Sequence, residues 1–330
     1  MTTDTAATEI IVDIPPTSWT GRTDGHASEH LRWHQAIRAY DPDVAGSGSV
    51  LIGFASDEGV RRNKGRPGAA AGPDALRGAL ASMALPSTLA LEDAGTIAVA
   101  DADLESGQAR LGRAVAAALD SGRLPVVLGG GHEVAFGTYS GVAATRLRRT
   151  RPRLGILNLD AHFDLRDEPV PSSGTPFRQI LEAERAAGSS CRYDIVGISQ
   201  PSNTTVLFET AHRLGVHYLL DEECGPTDLG IVDAFIADLL DSVDLLYLTI
   251  DLDVLPAAVA PGVSAPAAYG VPLEVIQRIC DQAAVSGKLA AVDVAELNPS
   301  LDIDARTART AARLIHRIVT RHRPATADDR

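Results

Sequence analysis

Asp160, His162 and Asp164 stand two residues apart at the end of the apolar run Ile156-Leu157-Asn158-Leu159. In an extended chain that period sends all three side chains to one side. An imidazole and two carboxylates on one side make poor core but half of a metal site. Asp251 and Asp253 repeat the spacing after Leu246-Tyr247-Leu248-Thr249-Ile250, and Val126-Val127-Leu128 runs through Gly129-Gly130-Gly131 into His132. Each stretch alone also reads as a polar loop after a strand. Together they bring four aspartates and two histidines to the ends of three strands. Parallel sheets gather ligands at the carboxyl ends of their strands, so the six can meet.

The elements that must position them alternate. Strand-like segments lie at 49–55 and near 95–99, 124–129, 154–160, 193–199, 215–220, 245–250 and 289–294. Helical patterns fall around 73–84, 106–121, 133–149, 176–187, 201–214, 229–241, 272–285 and 304–321. Eight strands, each followed by a helix, predict parallel βαβ units with right-handed crossovers. A closed eightfold barrel fits this count nearly as well as an open sandwiched sheet. Residues 1–46 carry Pro15, Pro16 and Pro42 and one possible short helix around His30–Tyr40. They read as an N-terminal extension partly ordered by packing on the domain, with 47–330 as one catalytic domain.

Composition narrows the class. The chain has 330 residues, 45% of them hydrophobic, and a formal net charge of −13. No basic stripe tracks a nucleic acid backbone. Cys191, Cys224 and Cys280 lack CxxC spacing, which points to a reducing compartment without a disulfide framework or zinc ribbon. Met1–Ile10 does not resemble a signal peptide, and no apolar run reaches the ~18 residues needed to span a bilayer. A soluble, cytoplasmic protein with no membrane partner is expected. Nucleotide binding would need Gly-x-Gly-x-x-Gly after the first strand, and that is absent.

Gly129-Gly130-Gly131-His132-Glu133, Asp160-Ala161-His162-Phe163-Asp164, Asp251-Leu252-Asp253 and Glu296-Leu297-Asn298-Pro299 occur in the order found in the ureohydrolases, the arginase and agmatinase family. From about Val50 to the last helix the chain resembles that family, and Phe54–Arg66, Ser173–Gln179 and Leu255–Pro266 resemble its formimidoylglutamase branch. The resemblance implies a three-layer α/β/α sandwich around a mostly parallel eight-stranded sheet. It implies two Mn²⁺ ions, one held by His132, Asp160, Asp164 and Asp251, the other by Asp160, His162, Asp251 and Asp253. Four carboxylates, two imidazoles and no thiolate agree with this, since a hard, oxygen-rich set suits Mn²⁺ better than Zn²⁺. Such a pair of ions lowers the pKa of a water between them, giving a nucleophile near neutral pH. By matching position, Asp164 is the expected proton carrier and Glu296 the group that orients an amidinium. Glu296 also reads as a capping acid before Asn298-Pro299.

The implied reaction is hydrolysis of N-formimidoyl-L-glutamate to L-glutamate and formamide, the alternative being a guanidino-acid hydrolase that releases urea. A third reading, from a different class, is a metal- or nucleotide-binding scaffold without catalysis. Members of the family are commonly trimers or hexamers, so a homo-oligomer acting on a small molecule is expected. Two departures from arginase bear on the substrate: Ser173-Gly174-Thr175-Pro176 lacks a histidine, and Arg166 replaces an asparagine. A substrate with two carboxylates calls for extra cations. Arg166 and Arg178 are the candidates, with Arg61, Arg62, Asn63 and Arg66 as helpers from the first loop; each arginine reads almost as well as half of a surface ion pair. Tyr269, in Ala267-Ala268-Tyr269-Gly270, stands where that branch leads one to expect arginine and joins the substrate-binding candidates. Loss of a cation there fits a substrate with one carboxylate fewer.

Overall fold

The computed structural model describes residues 12–86 and 89–324; Met1–Ile10, where no signal peptide is expected, lies outside them. Among these residues nine strands form one sheet: β1 (Arg38–Ala39), β2 (Ser49–Ala55), β3 (Leu91–Ala98), β4 (Leu124–Leu128), β5 (Leu154–Leu159), β6 (Cys191–Ile198), β7 (His217–Leu220), β8 (Leu245–Asp251) and β9 (Leu289–Ala295). Their order is β1-β3-β2-β4-β9-β8-β5-β6-β7, and every pairing between them is parallel. The sheet is open, which removes the barrel. The expected eight strands become nine because Arg38–Ala39 adds an edge against β3. Both of its residues are exposed, so no apolar pattern announces it.

Helices follow in chain order as α1 (Trp33–Ala36), α2 (Glu58–Arg62), α3 (Gly72–Ala81), α4 (Leu104–Asp120), α5 (Val134–Ala144), α6 (Arg146–Thr150), α7 (Pro176–Ala186), α8 (Thr205–Leu214), α9 (Leu229–Ser242), α10 (Leu273–Val285) and α11 (Arg306–Arg321). Two apolar cores flank the sheet. Leu51, Val126, Leu157 and Leu248 point to one face, under α3, α9, α10 and α11. Val50, Ile52, Val127, Ile156 and Tyr247 point to the other, under α4, α5, α7 and α8. Burial on both sides explains why these strands read as unbroken aliphatic runs. Helix α11 shows the complementary pattern: Ala308, Ala311, Ala312, Ile315, Ile318 and Val319 make one buried stripe at helical spacing.

The helix expected around His30–Tyr40 shrinks to α1, because Trp33 alone of its four residues is buried and the chain turns extended at Ile37. The helix expected over 133–149 is cut at Thr145, which is extended and whose hydroxyl caps α6 by accepting from Arg148 N. The N-terminal stretch packs on the domain through its tryptophans. Trp19 stacks on the fully buried Trp33 at 6.3 Å, and Trp33 Nε1 donates to His316 Nδ1 in α11 at 3.0 Å. Among the described residues no helix is long and apolar enough to cross a membrane.

Candidate metal centre and substrate cavity

Four adjacent central strands, in the order β4-β9-β8-β5, end on the residues singled out by chemistry. His132 follows β4, Glu296 follows β9, Asp251 and Asp253 follow and close β8, and Asp160 to Asp164 follow β5. The turn after β4 must be glycine. A Cβ on Gly130 would lie 1.8 Å from the Ser56 carbonyl oxygen, and one on Gly131 would meet the Glu133 carboxylate at 2.2 Å. Neither neighbour is free to retreat, since Gly131 N donates to Ser56 O and Ser56 Oγ donates to Glu133 Oε1.

His132 Nδ1 faces Asp160 Oδ2 at 3.2 Å, Asp164 Oδ2 at 3.1 Å and Asp251 Oδ2 at 3.1 Å. His162 Nδ1 faces Asp253 Oδ2 at 3.0 Å and Asp160 Oδ1 at 3.5 Å. Two ligand groups result, His132–Asp160–Asp164 and Asp160–His162–Asp253, each with its ligand atoms within 4.8 Å of one another, and Asp160 belongs to both. Asp251 stands with the first group through His132. The carboxylates are held before any cation arrives. His162 N donates to Asp160 Oδ1 at 2.7 Å, Asp253 N to Asp251 Oδ1 at 2.9 Å, and Asn158 Nδ2 to Asp160 Oδ2 at 2.9 Å.

This arrangement fits a metal pair on its own terms. Among the described residues the buried His132 Nδ1 makes no hydrogen bond, although three carboxylate oxygens surround it. A lone pair aimed with three carboxylates at one point is the donor set of a dication. The protonation states say the same. Burial alone would lower the His132 pKa, yet Asp160, Asp164 and Asp251 hold it well above the ordinary imidazole value. His162 is raised in the same way, against burial, by Asp253 and Asp160. Burial and the charge of Asp160 push Asp164 up to about 6. Protons gather where cations are wanted.

Glu296 completes the floor. Its Oε1 accepts from His132 N at 2.9 Å, while burial and the neighbouring Glu133 raise its pKa to about 8. Glu133, to which the sequence assigned no role, is fully buried and accepts from Ser56 Oγ and Gly59 N, tying the first loop to the metal turn. Its partner Ser56 lies far off in sequence, so no local motif reveals the contact. Asp164, Glu296 and Lys64, all lining the cavity, have positive φ of 49°, 70° and 62°. Backbone in that region costs on the order of 1–3 kcal/mol per residue and collects at functional sites.

Above the floor opens a cavity of about 360 Å³, bounded by Asn63, Lys64, Arg66, Arg166, Ser173, Asn203 and Ser264 among others. The structure brings Asn63, Arg66 and Arg166 to it but not the other candidates. Arg178 is spent on Asp167 and Glu182, and Tyr269 is 60% exposed and lines no part of it. Arg61 and Arg62 pair with Glu58, and Arg62 also with Glu105. Arg66 donates to the Ser264 and Val263 carbonyls, and neither Arg166 nor Lys64 has an acidic partner among the described residues. Lys64 and Asn203 were not singled out beforehand; the first sits unmarked in a polar loop and the second follows a short 3₁₀ turn.

Three comparisons place the chain among known proteins. A family model described as the arginase family matches residues 47–320. A formimidoylglutamase of Rhodococcus opacus is 67% identical over 311 residues, 94% of this chain and 97% of that protein. One of Nocardia farcinica is 65% identical over 314 residues, 95% of this chain and 99% of that protein. Among solved structures, a Trypanosoma cruzi formiminoglutamase with Mn²⁺ superposes with a TM-score of 0.74 at 27% identity, covering 88% of this chain and 97% of that one.

Proposed function

The chain belongs to the arginase family, and from that premise we propose that it hydrolyses N-formimidoyl-L-glutamate to L-glutamate and formamide. One juxtaposition carries this reading: a floor of four aspartates and two histidines beneath a rim where Lys64, Arg66 and Arg166 have no acidic partner among the described residues. The floor suits attack on an amidine carbon, and the rim suits a dianionic amino acid. Relatives that share about two thirds of the sequence bear the formimidoylglutamase name, so the urea-releasing alternative is not favoured.

His132, Asp160, Asp164 and Asp251 would hold one Mn²⁺, and Asp160, His162, Asp251 and Asp253 the other. When bound, the two ions supply Lewis acidity and an acidified water as nucleophile. Everything else falls to the chain's own residues. Glu296, with one oxygen committed to His132 N, offers the other to the amidinium, whose positive charge favours the ionised carboxylate against burial, and the charge-assisted pair fixes the electrophilic carbon above the floor. Asp164, whose Oδ2 stands 3.1 Å from His132 Nδ1 at the cavity floor, takes a proton from the attacking water and passes it to the departing α-nitrogen of glutamate. The C–N bond to that nitrogen breaks, and the water oxygen becomes the carbonyl of formamide. Arg166, Lys64 and Arg66 receive the two carboxylates.

The test is an assay of Mn²⁺-loaded protein against a panel of amidino and guanidino acids. Formamide from formimidoylglutamate is the expected product. Urea from arginine or another guanidino acid, with no formamide, would overturn the substrate assignment.

A further inference from the structure

Behind the cluster, on the side away from the cavity, His132 makes a second contact. Its Nε2 lies 3.0 Å from Thr249 Oγ1 on β8. Thr249 is fully buried and sits in register with Asp293 on β9. Asp293 is also fully buried; its Oδ2 accepts from Tyr247 OH, and its Oδ1 has no hydrogen-bond partner among the described residues. A buried carboxylate oxygen without a partner is rare and calls for a cause.

The cause follows from bookkeeping of protons. If the Nδ1 lone pair is aimed at the metal cluster, the imidazole proton sits on Nε2 and is donated to Thr249 Oγ1. Thr249 then has one hydrogen of its own to place. The orphan Oδ1 of Asp293 belongs to its register partner on the adjacent strand. Donor and acceptor, each left over, stand on paired residues. Burial pushes the Asp293 carboxyl pKa up, and the hydroxyls of Thr249, Tyr247 and Thr138 work against it.

We propose that Asp293, acting through Thr249, is a positioning residue that fixes the Nε2–H tautomer of His132 and so keeps Nδ1 open to the metal. The inference rests on the reading of His132 as a ligand. Partners of this kind behind a metal-bound histidine set its tautomer, and losing one lowers metal affinity about 10- to 100-fold. Asp293→Asn has a specific effect. With Tyr247 donating to its oxygen, the new amide NH₂ turns to Thr249 and reverses the chain. Thr249 then donates to Nε2, and the proton moves to Nδ1.

The experiment titrates metal-free protein with Mn²⁺ and counts bound ions for the wild type, Thr249→Val, Thr249→Ser and Asp293→Asn. Thermal midpoints of the metal-free proteins are recorded beside it. Two ions in the wild type are expected. In Thr249→Val and Asp293→Asn, one of the two should weaken by about 10- to 100-fold, and Thr249→Ser should recover to within a few-fold. A purely structural role would lower the thermal midpoint and leave the ions equally affected. Wild-type affinity at both sites in Thr249→Val or Asp293→Asn overturns the inference. If Thr249→Val does not fold, Asp293→Asn alone decides. A wild-type protein that binds no Mn²⁺ would instead remove the metal reading itself.

Discussion

Glu133 follows the ligand His132 in sequence, but its own partners are Ser56 and Gly59 rather than the aspartates. Burial lifts its pKa from the ordinary 4.5 to about 7. Between those values the folded protein keeps a proton that the unfolded chain gives up, so this group's stabilisation is complete below pH 4.5 and lost as pH rises to about 7. Glu133→Gln keeps an oxygen for Ser56 and Gly59 but cannot ionise. Urea unfolding from pH 4.5 to 8 should therefore give a variant whose stability declines less steeply than the wild type across that window, by up to about 1.4 kcal/mol per pH unit. Parallel curves would show that Glu133 carries no such proton. Glu296 and Arg166 make the complementary case. Glu296 combines positive φ with a burial-raised pKa, both of which cost stability. Glu296→Gln should leave the unfolding midpoint equal or higher while turnover falls about 10²-fold or more; unchanged turnover would take it out of the reaction. Arg166 is exposed, so its contact to substrate is worth less than a buried pair. Hydrogen bonds to charged groups contribute about 1.5–3 kcal/mol, so Arg166→Ala should lower kcat/KM for formimidoylglutamate roughly 10- to 100-fold. Arg166→Lys should recover part of this. No loss would shift the carboxylate contact to Lys64 or Arg66.

The turn between β4 and α5 shows how an element decides what its residues can do. Gly130→Ala would place a methyl 1.8 Å from the Ser56 carbonyl and push the metal turn off the first loop, a cost of at least about 1–3 kcal/mol. Gly78 in α3 is the control: nothing lies within 4 Å of an added Cβ, so Gly78→Ala should stabilise by roughly 0.5–1 kcal/mol. Denaturant midpoints moving in opposite directions check the pair, and a tolerated Gly130→Ala would contradict the steric account. The same contrast explains what could be read in advance. Strands β4, β5, β8 and β9 were legible because both faces are buried and their aliphatic runs stop abruptly at polar residues. Helix α2 was not, since Glu58–Arg62 is a single polar turn held by Glu133 from a distant loop. Arg178 and Tyr269 were attractive by type and motif. Only the fold shows that the first is engaged by Asp167 and Glu182 and that the second points to solvent, because ion pairs and exposure are settled by tertiary neighbours.

At the scale of the whole molecule, the spacing by two in Asp160–Asp164 and Asp251–Asp253 carried most of the information, because a parallel sheet turns such spacing into convergence at one edge. The assembled centre then acts on the whole fold. Four carboxylates, three of them buried, crowd two histidines, and in the absence of a dication protons fill the deficit. Binding Mn²⁺ must expel those protons, so uptake near pH 7 should acidify a weakly buffered solution and affinity should rise with pH. Binding only to the folded state should also raise thermal stability, by about 2.7 kcal/mol at 100 times the dissociation constant. Proton-neutral uptake would contradict the protonation states described above. The most direct test of the central claim is a single measurement of products. Mn²⁺-loaded protein is given N-formimidoyl-L-glutamate, and formamide and glutamate are quantified by NMR before and after exhaustive chelation. Equal amounts of formamide and glutamate, abolished by chelation and restored by Mn²⁺, are the predicted result. Undiminished formamide release from fully chelated protein, or none from loaded protein, would contradict it.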